Sequence, residues 1–491
     1  MNSQDLPTPV MDAGDSAPAP SPSKSNRPSI LNTGSIPTNT AMKVQSDVLE
    51  PLTFSQSECV FRLQPRGILH PGSSITIACD VQGAIARAFP YLNIGIHSLI
   101  RRAVLRTTAG RVINDTDEYD KLQSVKSMFV QNSVNKEREQ LLTGRQMDFE
   151  MLYDVKSDVK SGEGYGISNG YEYCDSAVAG ARQGLSVRPE ILNANEPEFR
   201  IKLHDLFEYC RQGNQLPLFL LPDEQIEIVL YWAFSGDGLN YNRLAISAGD
   251  DANVANPINI TKSKCKMIAD YVYYAGDIMD EIRSEFSKGM TFSYSDYRLS
   301  QQTVSGGAGG TSINNVRNIG GNGMAVNSVY WAHQLDRNAT FLLGAYNGQV
   351  PVADATAGGK ARKPLKSNLF VNGEYLYPQD ITNPARQFHN LKETAGMIPF
   401  VPRCLYSDEG PEALTDDASY EFEGRVQRSQ FSGEFFHQGF RLSGLSQRID
   451  NRGIDLHSDC EMSAGSYNLN AWIEVKKYVV ITDGHLECYF V

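Results

Sequence analysis

"NLFVNGEYLYP", residues 368–378, decides the fold more than any other stretch of the chain. Two short apolar and aromatic runs flank Asn372-Gly373. Asn-Gly supplies the positive φ angles of a type I′ turn, whose twist matches that of two paired strands. Leu369 to Tyr377 therefore reads as a β-hairpin. The following "QDITNPARQFHNL" (379–391) reads as a short helix, with Pro384 at an early helical position after Thr382 or Asn383 as cap. Phe370, Tyr375 and Tyr377 are then sheet-packing or subunit-contact residues.

Outward from this hairpin the chain repeats one style. "CVFRLQP" (59–65) and "SITIACDV" (74–81) are short β runs bounded by Pro-Arg-Gly and Pro-Gly-Ser. After "LIRRAVLRT" (99–107), Asp115 or Thr116 can cap a helix with Leu122, Val125, Met128 and Phe129 on one face. "LPLFLL" (216–221), "QIEIVLYWAF" (225–234) and "MIADYVYYAGDIM" (267–279) read as further strands. Ile226, Ile228, Leu230 and Trp232 share one side, the period of a half-buried strand. A Gly/Ser/Asn-rich stretch (305–323) interrupts the strands, and its Gly306–Gly310 run reads as a flexible loop. Strands resume in "NSVYWAHQL", "ATFLLGAY", "FRLSGL" and the closing pair "NAWIEVKKYVVI" and "HLECYFV", turned at Asp483-Gly484.

Each half thus carries strands around long polar loops, a helix in a loop and a terminal pair of strands. Many short strands without alternating helices predict an all-β chain of antiparallel sandwiches. Two tandem eight-stranded antiparallel jelly rolls with short helices in the loops fit the length of 491 residues. The expected division is a Pro/Ser-rich flexible arm over 1–48, a first jelly roll over 49–285 and a second over 286–491. The arm is too poor in apolar residues to offset its ordering entropy.

Charge and cysteine usage narrow the function. A formal charge of −12, with no extended basic run, argues against a primary nucleic-acid groove. The eight cysteines include no C-x-x-C pair and read as reduced, buried thiols. No stretch has the apolar length of a membrane span, and the N-terminus has no hydrophobic signal core. The sequons at Asn114, Asn259 and Asn338 are then chance matches.

Motifs that could carry chemistry fail on context. Gly306–Gly310 lacks the lysine of a phosphate loop. Ser168 lies in "GISNG", a formal G-x-S-x-G, but polar, Gly-rich residues precede it where a nucleophile elbow needs an apolar strand. "DNRGIDLHSDCE" (450–461) has the ends of a calcium loop, yet Arg452 and Ile454 stand at ligand positions and Asp455 replaces the required glycine; a surface loop is the expected reading. The eight histidines form no H-x-H or H-E-x-x-H pair. Asp223-Glu224, Asp250-Asp251 and Asp416-Asp417 read as solvated loop carboxylates. No catalytic, cofactor-binding or metal-binding residue is assigned, and no cofactor is expected.

Four stretches resemble the major capsid proteins of the double jelly-roll lineage, as in polinton-like viruses and virophages and, more distantly, adenovirus and tailless membrane-containing phages. They are "GIHSLIRRAVLRTTAGRVINDTDEY" (95–119), "LPLFLLPDEQIEIVLYWA" (216–233), "NLFVNGEYLYPQDITNPARQFHNL" (368–391) and "YNLNAWIEVKKYVVITDGHLECYFV" (467–491). The resemblance implies a non-catalytic homotrimer, a pseudo-hexagonal capsomer that tiles an icosahedral shell and is assembled inside the host cell. Its partners would be other copies of itself, penton proteins and minor capsid or cement proteins, with no sequence-specific nucleic acid. It further implies that residues 1–46 order beneath the shell and tie neighbouring capsomers. Two alternatives stand beside it: a β-sandwich carbohydrate-binding protein or glycoside hydrolase, and a penton or spike component.

Overall fold

The computed structural model describes residues 41–55, 57–78, 80–81, 88–90, 95–130, 142–143, 198–233, 244–246, 258–260, 262–286, 289–306, 311–335, 366–395, 406–408, 427–429, 438–442, 448–462, 465–482 and 484–491. In the first half these form β1 (Ala41–Leu49), β2 (Thr53–Phe54), β3 (Glu58–Arg62), β4 (Ile68–Leu69), β5 (Ser74–Ala78), β6 (Asp80–Val81), β7 (Ala88–Pro90), β8 (Ile100–Thr107), β9 (Val112–Thr116), helix α1 (Tyr119–Val130), β10 (Glu198–Lys202), the one-turn helices α2 (Leu203–Leu206) and α3 (Glu208–Arg211), β11 (Ile226–Trp232), β12 (Leu244–Ile246), β13 (Ile258–Asn259), β14 (Cys265–Tyr274) and α4 (Gly276–Phe286). The second half adds β15 (Met290–Gly306), β16 (Thr311–Gly320), β17 (Val326–Leu335), β18 (Lys366–Val371), β19 (Glu374–Tyr375), α5 (Pro384–Ala395), β20 (Tyr406–Asp408), β21 (Gln427–Ser429), β22 (Gln438–Arg441), β23 (Ile454–Met462), β24 (Gly465–Thr482) and β25 (His485–Phe490).

Among the described residues, strands up to β14 pair only with one another, and so do strands from β15 onward. In the first half one sheet runs β1-β14-β5-β10, with β4 also on β14, and its partner runs β2-β3-β11-β8-β9. In the second half the sheets are β15-β24-β17-β22, with β25 also on β24, and β16-β23-β18-β19. Neighbours far apart in sequence, such as β5 and β14 or β16 and β23, mark chain crossings between sheets, the wiring of Greek-key sandwiches.

The alternation in each strand explains the layers. Ile226, Ile228 and Leu230 of β11 face Ile75 and Ile77 of the opposite sheet in one core. All five are fully buried, each contributing about 1.5–3 kcal/mol. The second core gathers Val329, Trp331, Leu369, Phe440, Leu456 and Ile473. Trp331 meets Phe440 edge-on at 4.9 Å.

The hairpin at 369–377 forms as its sequence requires. Asn372 and Gly373 have φ of 53° and 91°, and Phe370 pairs with Tyr375 across the turn. Helix α5 begins at Pro384, and the Gln387 N–H bonds the Asn383 carbonyl at 3.0 Å.

Several expectations change. The end of the expected arm is strand: Ala41 to Val48 belongs to β1, which pairs along β14, while residues 1–40 lie outside the described residues. Asp115 and Thr116 end strand β9 and cap nothing; α1 starts at Tyr119, after Glu118 at a φ of 48°. "LPLFLL" is no strand, because Leu218–Leu220 forms a 3-10 turn. β11 is not half-buried: Glu227 and Val229, on its other side, are also buried. The interruption expected over 305–323 is largely strand, since Thr311–Gly320 is β16, paired with β23, while 307–310 of the expected flexible loop lie outside the described residues. β23 in turn takes residues 454–461 out of the expected surface loop. Finally, β24 and β25 are a bonded pair, whereas β11 and β14 lie in opposite sheets.

Candidate functional site at the seam between the halves

β15 and β24 are long because they serve both cores. Their Phe292, Tyr294, Val479 and Ile481, together with Leu486 of β25, are buried in the first core, while Ile473 and Val475 lie in the second. Odd-numbered residues of β24 share one face. On that face Lys477 stands between Val475 and Val479, where alternation calls for an apolar side chain.

Lys477 is buried and fully engaged. Its Nζ donates to the Val112 and Ile113 carbonyls of β9, each at 2.8 Å, and to Asp296 Oδ2 at 3.1 Å. The other carboxylate oxygen, Asp296 Oδ1, accepts from Asn114 Nδ2 at 3.0 Å and from the Asp115 and Tyr297 backbone N–H groups at 3.3 and 3.1 Å. Burial raises the Asp296 carboxyl above its ordinary value, against the pull of Lys477 and these donors. Asn114 also accepts the Tyr209 N–H at 2.9 Å, and Tyr294 donates its hydroxyl to the Ile113 carbonyl at 2.6 Å. A buried charge pair of this kind holds position only because every donor and acceptor has a partner.

On the opposite face of the same strands lies a second polar cluster. Lys126 of α1 pairs with Glu208 of α3, and Arg211 approaches Glu208 at 3.4 Å. The Lys126 ammonium also sits 4.6 Å from the centre of the Tyr297 ring. Burial first, then repulsion from Arg211, pushes Lys126 down to about 8. Glu208 is desolvated too, but Arg211 and Lys126 hold it below the usual carboxylate range. Trp472 Nε1 completes the seam, donating to the Asp117 carbonyl at 3.3 Å.

A cleft of 830 Å³ opens along this seam, lined among others by Arg102, Arg111, Asp115, Arg298, Glu487 and Phe490. Its charges are spent internally. Arg102 forks onto Asp115 at 2.7 and 2.5 Å, Arg298 lies 4.3 Å from the Phe490 ring centre, and Arg111 donates to the Leu486 carbonyl. Cys488, at the cleft wall, has its thiol pushed up to about 11 by burial, so it stays protonated and is a poor nucleophile at neutral pH. Outside the cleft, the outer face of β3, β11 and β8 carries the row Arg62–Glu227–Arg106 beside the buried row Val60–Val229–Val104. Both arginines bond the buried Glu227 carboxylate, at 2.8 and 3.2 Å.

The residues weighed from the sequence scatter. Ser168, Asp250-Asp251, Asp416-Asp417, Asn338 and His437 lie outside the described residues. Asp450 accepts the Arg452 backbone N–H and its Nε in a tight turn, and Glu461 is on β23 opposite Ser312. Glu224 is not a solvated carboxylate: it is buried beside His485 at 3.2 Å and Arg111 at 3.8 Å. Asn114 is fully buried, so its sequon is no acceptor in the folded chain. Among the described residues no three His, Cys, Asp or Glu side chains converge as metal ligands, and no helix is long and apolar enough to cross a membrane. Sequence reasoning passed over Lys477 and Asp296. The local signal was the parity of Lys477, which shares a face of β24 with Ile473, Val475, Val479 and Ile481.

No family model and no curated protein sequence matches the chain. Solved structures do. A chain of the Sputnik virophage structure has a TM-score of 0.54 at 10% identity, covering 100% of this chain and 95% of that one. VP54 of PBCV-1, fitted into a reconstruction of the virophage Sputnik, gives 0.53 at 10% identity over 91% of this chain and 97% of its own. A chain of the PBCV-1 virus capsid gives 0.52 at 12% identity, with the same coverage. The likeness shows the fold: this chain is mostly antiparallel sheet with few short helices, and it has the double jelly-roll architecture.

Proposed function

We propose that this chain is the major capsid protein of an icosahedral virus, with a structural and non-catalytic role in the virion shell. The observation that carries the reading is coverage: two jelly rolls in tandem are matched over 91% or more of this chain and 95% or more of capsid chains from Sputnik and PBCV-1. The seam supports it as well, because two rolls fixed through shared strands and a buried ion pair behave as one block. Division at residues 285 and 286 fits this reading, with α4 as the connection.

Three copies would close into a pseudo-hexagonal capsomer through heterologous contacts, each subunit offering two different surfaces. Exposed apolar side chains suit such contacts: Val44, Val48 and Leu52 near the start of the first sandwich, and Tyr489 and Phe490 beside the cleft. Neighbouring capsomers, penton proteins and cement proteins would complete the shell.

Light scattering coupled to gel filtration, followed by electron microscopy of the purified chain, tests the proposal. A stable trimer that forms hexagonal plates is expected. A monomer that binds an oligosaccharide would replace this reading with the carbohydrate-binding or hydrolase alternative. Removing residues 1–40 leaves β1 in its sheet, and it is expected to weaken the particles while sparing the trimer.

A further inference from the structure

Cys59 and Cys265 are 206 positions apart in sequence, yet their sulfurs lie 3.7 Å apart inside the first sandwich. Cys59 belongs to β3 and Cys265 opens β14, so the two thiols come from opposite sheets. Both are fully buried within the apolar core. We propose that Cys59 and Cys265 are a redox pair that closes into a disulfide and staples the two sheets together.

A disulfide brings its sulfurs to about 2.05 Å, so the pair must close by a further ~1.6 Å. Each residue lies close to a turn. Cys59 is the second residue of its strand, just after the turn in which the Ser57 and Glu58 N–H groups bond the Ser55 hydroxyl. Cys265 is the first residue of β14 and follows the 3-10 turn Lys262–Lys264. Cys265 pairs with Ile77 at the end of its ladder, whereas Cys59 is held between Leu230 and Phe54, so the movement comes from the Cys265 end.

The oxidant is a low-molecular-weight disulfide such as oxidised glutathione. One cysteine thiolate attacks a sulfur of that disulfide and expels a thiolate, leaving a mixed disulfide on the protein. The second cysteine attacks the protein-bound sulfur and expels the other half. One S–S bond breaks and one forms. The protein loses two electrons, the small disulfide gains them, and the two cysteine protons end on the two released thiols. The neighbouring Cys265 thiol and burial hold the Cys59 thiol well above its ordinary value. Exchange therefore proceeds through opening of the strand ends, and the closed bond is shielded from small reductants. Bridging residues so far apart in sequence restricts the unfolded chain strongly. The pairing is independent of the capsid reading, since it rests only on the first sandwich.

The test uses the full chain, purified reduced and then equilibrated with graded ratios of oxidised to reduced glutathione. Denaturation, alkylation and peptide mapping are expected to find six of the eight cysteines alkylated at oxidising ratios, with one bridged peptide joining Cys59 and Cys265. The melting temperature should rise by several degrees as the bridge forms. Cys59→Ala and Cys265→Ala should each abolish that rise, whereas Cys210→Ala should keep it. Eight alkylated cysteines at every ratio, a bridge joining other cysteines, or a rise that survives Cys59→Ala would overturn the proposal. If the alanine variants fail to fold, peptide mapping of the unaltered chain decides alone.

Discussion

Two buried lysines cross the seam in opposite directions and meet different fates. Lys477 reaches from the second half into the first and finds three acceptors, one for each of its N–H bonds. Lys126 reaches from the first half only to the Tyr297 ring of the second, and shares the single carboxylate of Glu208, in its own half, with Arg211. Lys477 is thus a fixed joint, while Lys126 is a charge held under protest and pushed down to about 8. The difference teaches that burial alone does not decide what an ion pair contributes; the number of donors left over does.

The sharpest way to break this comparison is Lys477→Met. It leaves the Asp296 carboxylate without its counter-charge and takes a donor from the Val112 and Ile113 carbonyls, of which Ile113 keeps the Tyr294 hydroxyl, and should cost about 3–5 kcal/mol in urea denaturation. A loss near that of an exposed residue would show that the pair is not a joint.

Acid probes a different buried group, since Lys126 keeps its proton below pH 7. Burial lowers His333 to about 4 from an ordinary 6.5. Its folded value is depressed, so its contribution is complete above pH 6.5 and is lost as pH falls toward 4. The expected loss across that window is about 3 kcal/mol. His333→Gln should flatten the acid limb of a stability-against-pH curve, and an unchanged limb would contradict this.

Adding Asp296→Asn to Lys477→Met removes the stranded charge but keeps an acceptor for Asn114. It should restore about 1–2 kcal/mol of the loss, measured as a double-mutant cycle. The smallest effect should come from Lys126→Met, because Arg211 still pairs with Glu208. Stability at pH 7 is expected to stay within about 1 kcal/mol of the parent chain. The rise in stability from pH 8 toward 10 that deprotonation of Lys126 provides should disappear.

How much of this was legible in sequence depended on the range of the signal. The 369–377 hairpin and the start of α5 were readable because Asn372, Gly373 and Pro384 act on their own backbone. The tandem sandwich layout followed from strand spacing, and the capsid resemblance from four stretches in both halves. Strand β16 was missed because its Thr, Ser, Asn and Arg residues suit a loop locally, and only the partner strand β23 makes them a strand. Asp115 was misassigned as a cap for a similar reason: its carboxylate answers Arg102 across the strand pair. Parity could mark Lys477 as inward-facing, but not its partners, because Asn114 and Asp296 are far from it in the chain and meet it only once both halves are folded.

The longest ladder among the described residues has a mechanical meaning. Met290 to Gly306 runs against Ile481 to Gly465 without a register shift over seventeen pairs. At the rise of an antiparallel strand this is a spar of about 55 Å. Each end is embedded in a different core. Both strands run from one core into the other, so a load that pulls the two rolls apart along this axis is carried by two covalent backbones at once. A block tied in this way yields at its surface contacts before it yields within itself, as a wall of stiff bricks cracks along the mortar.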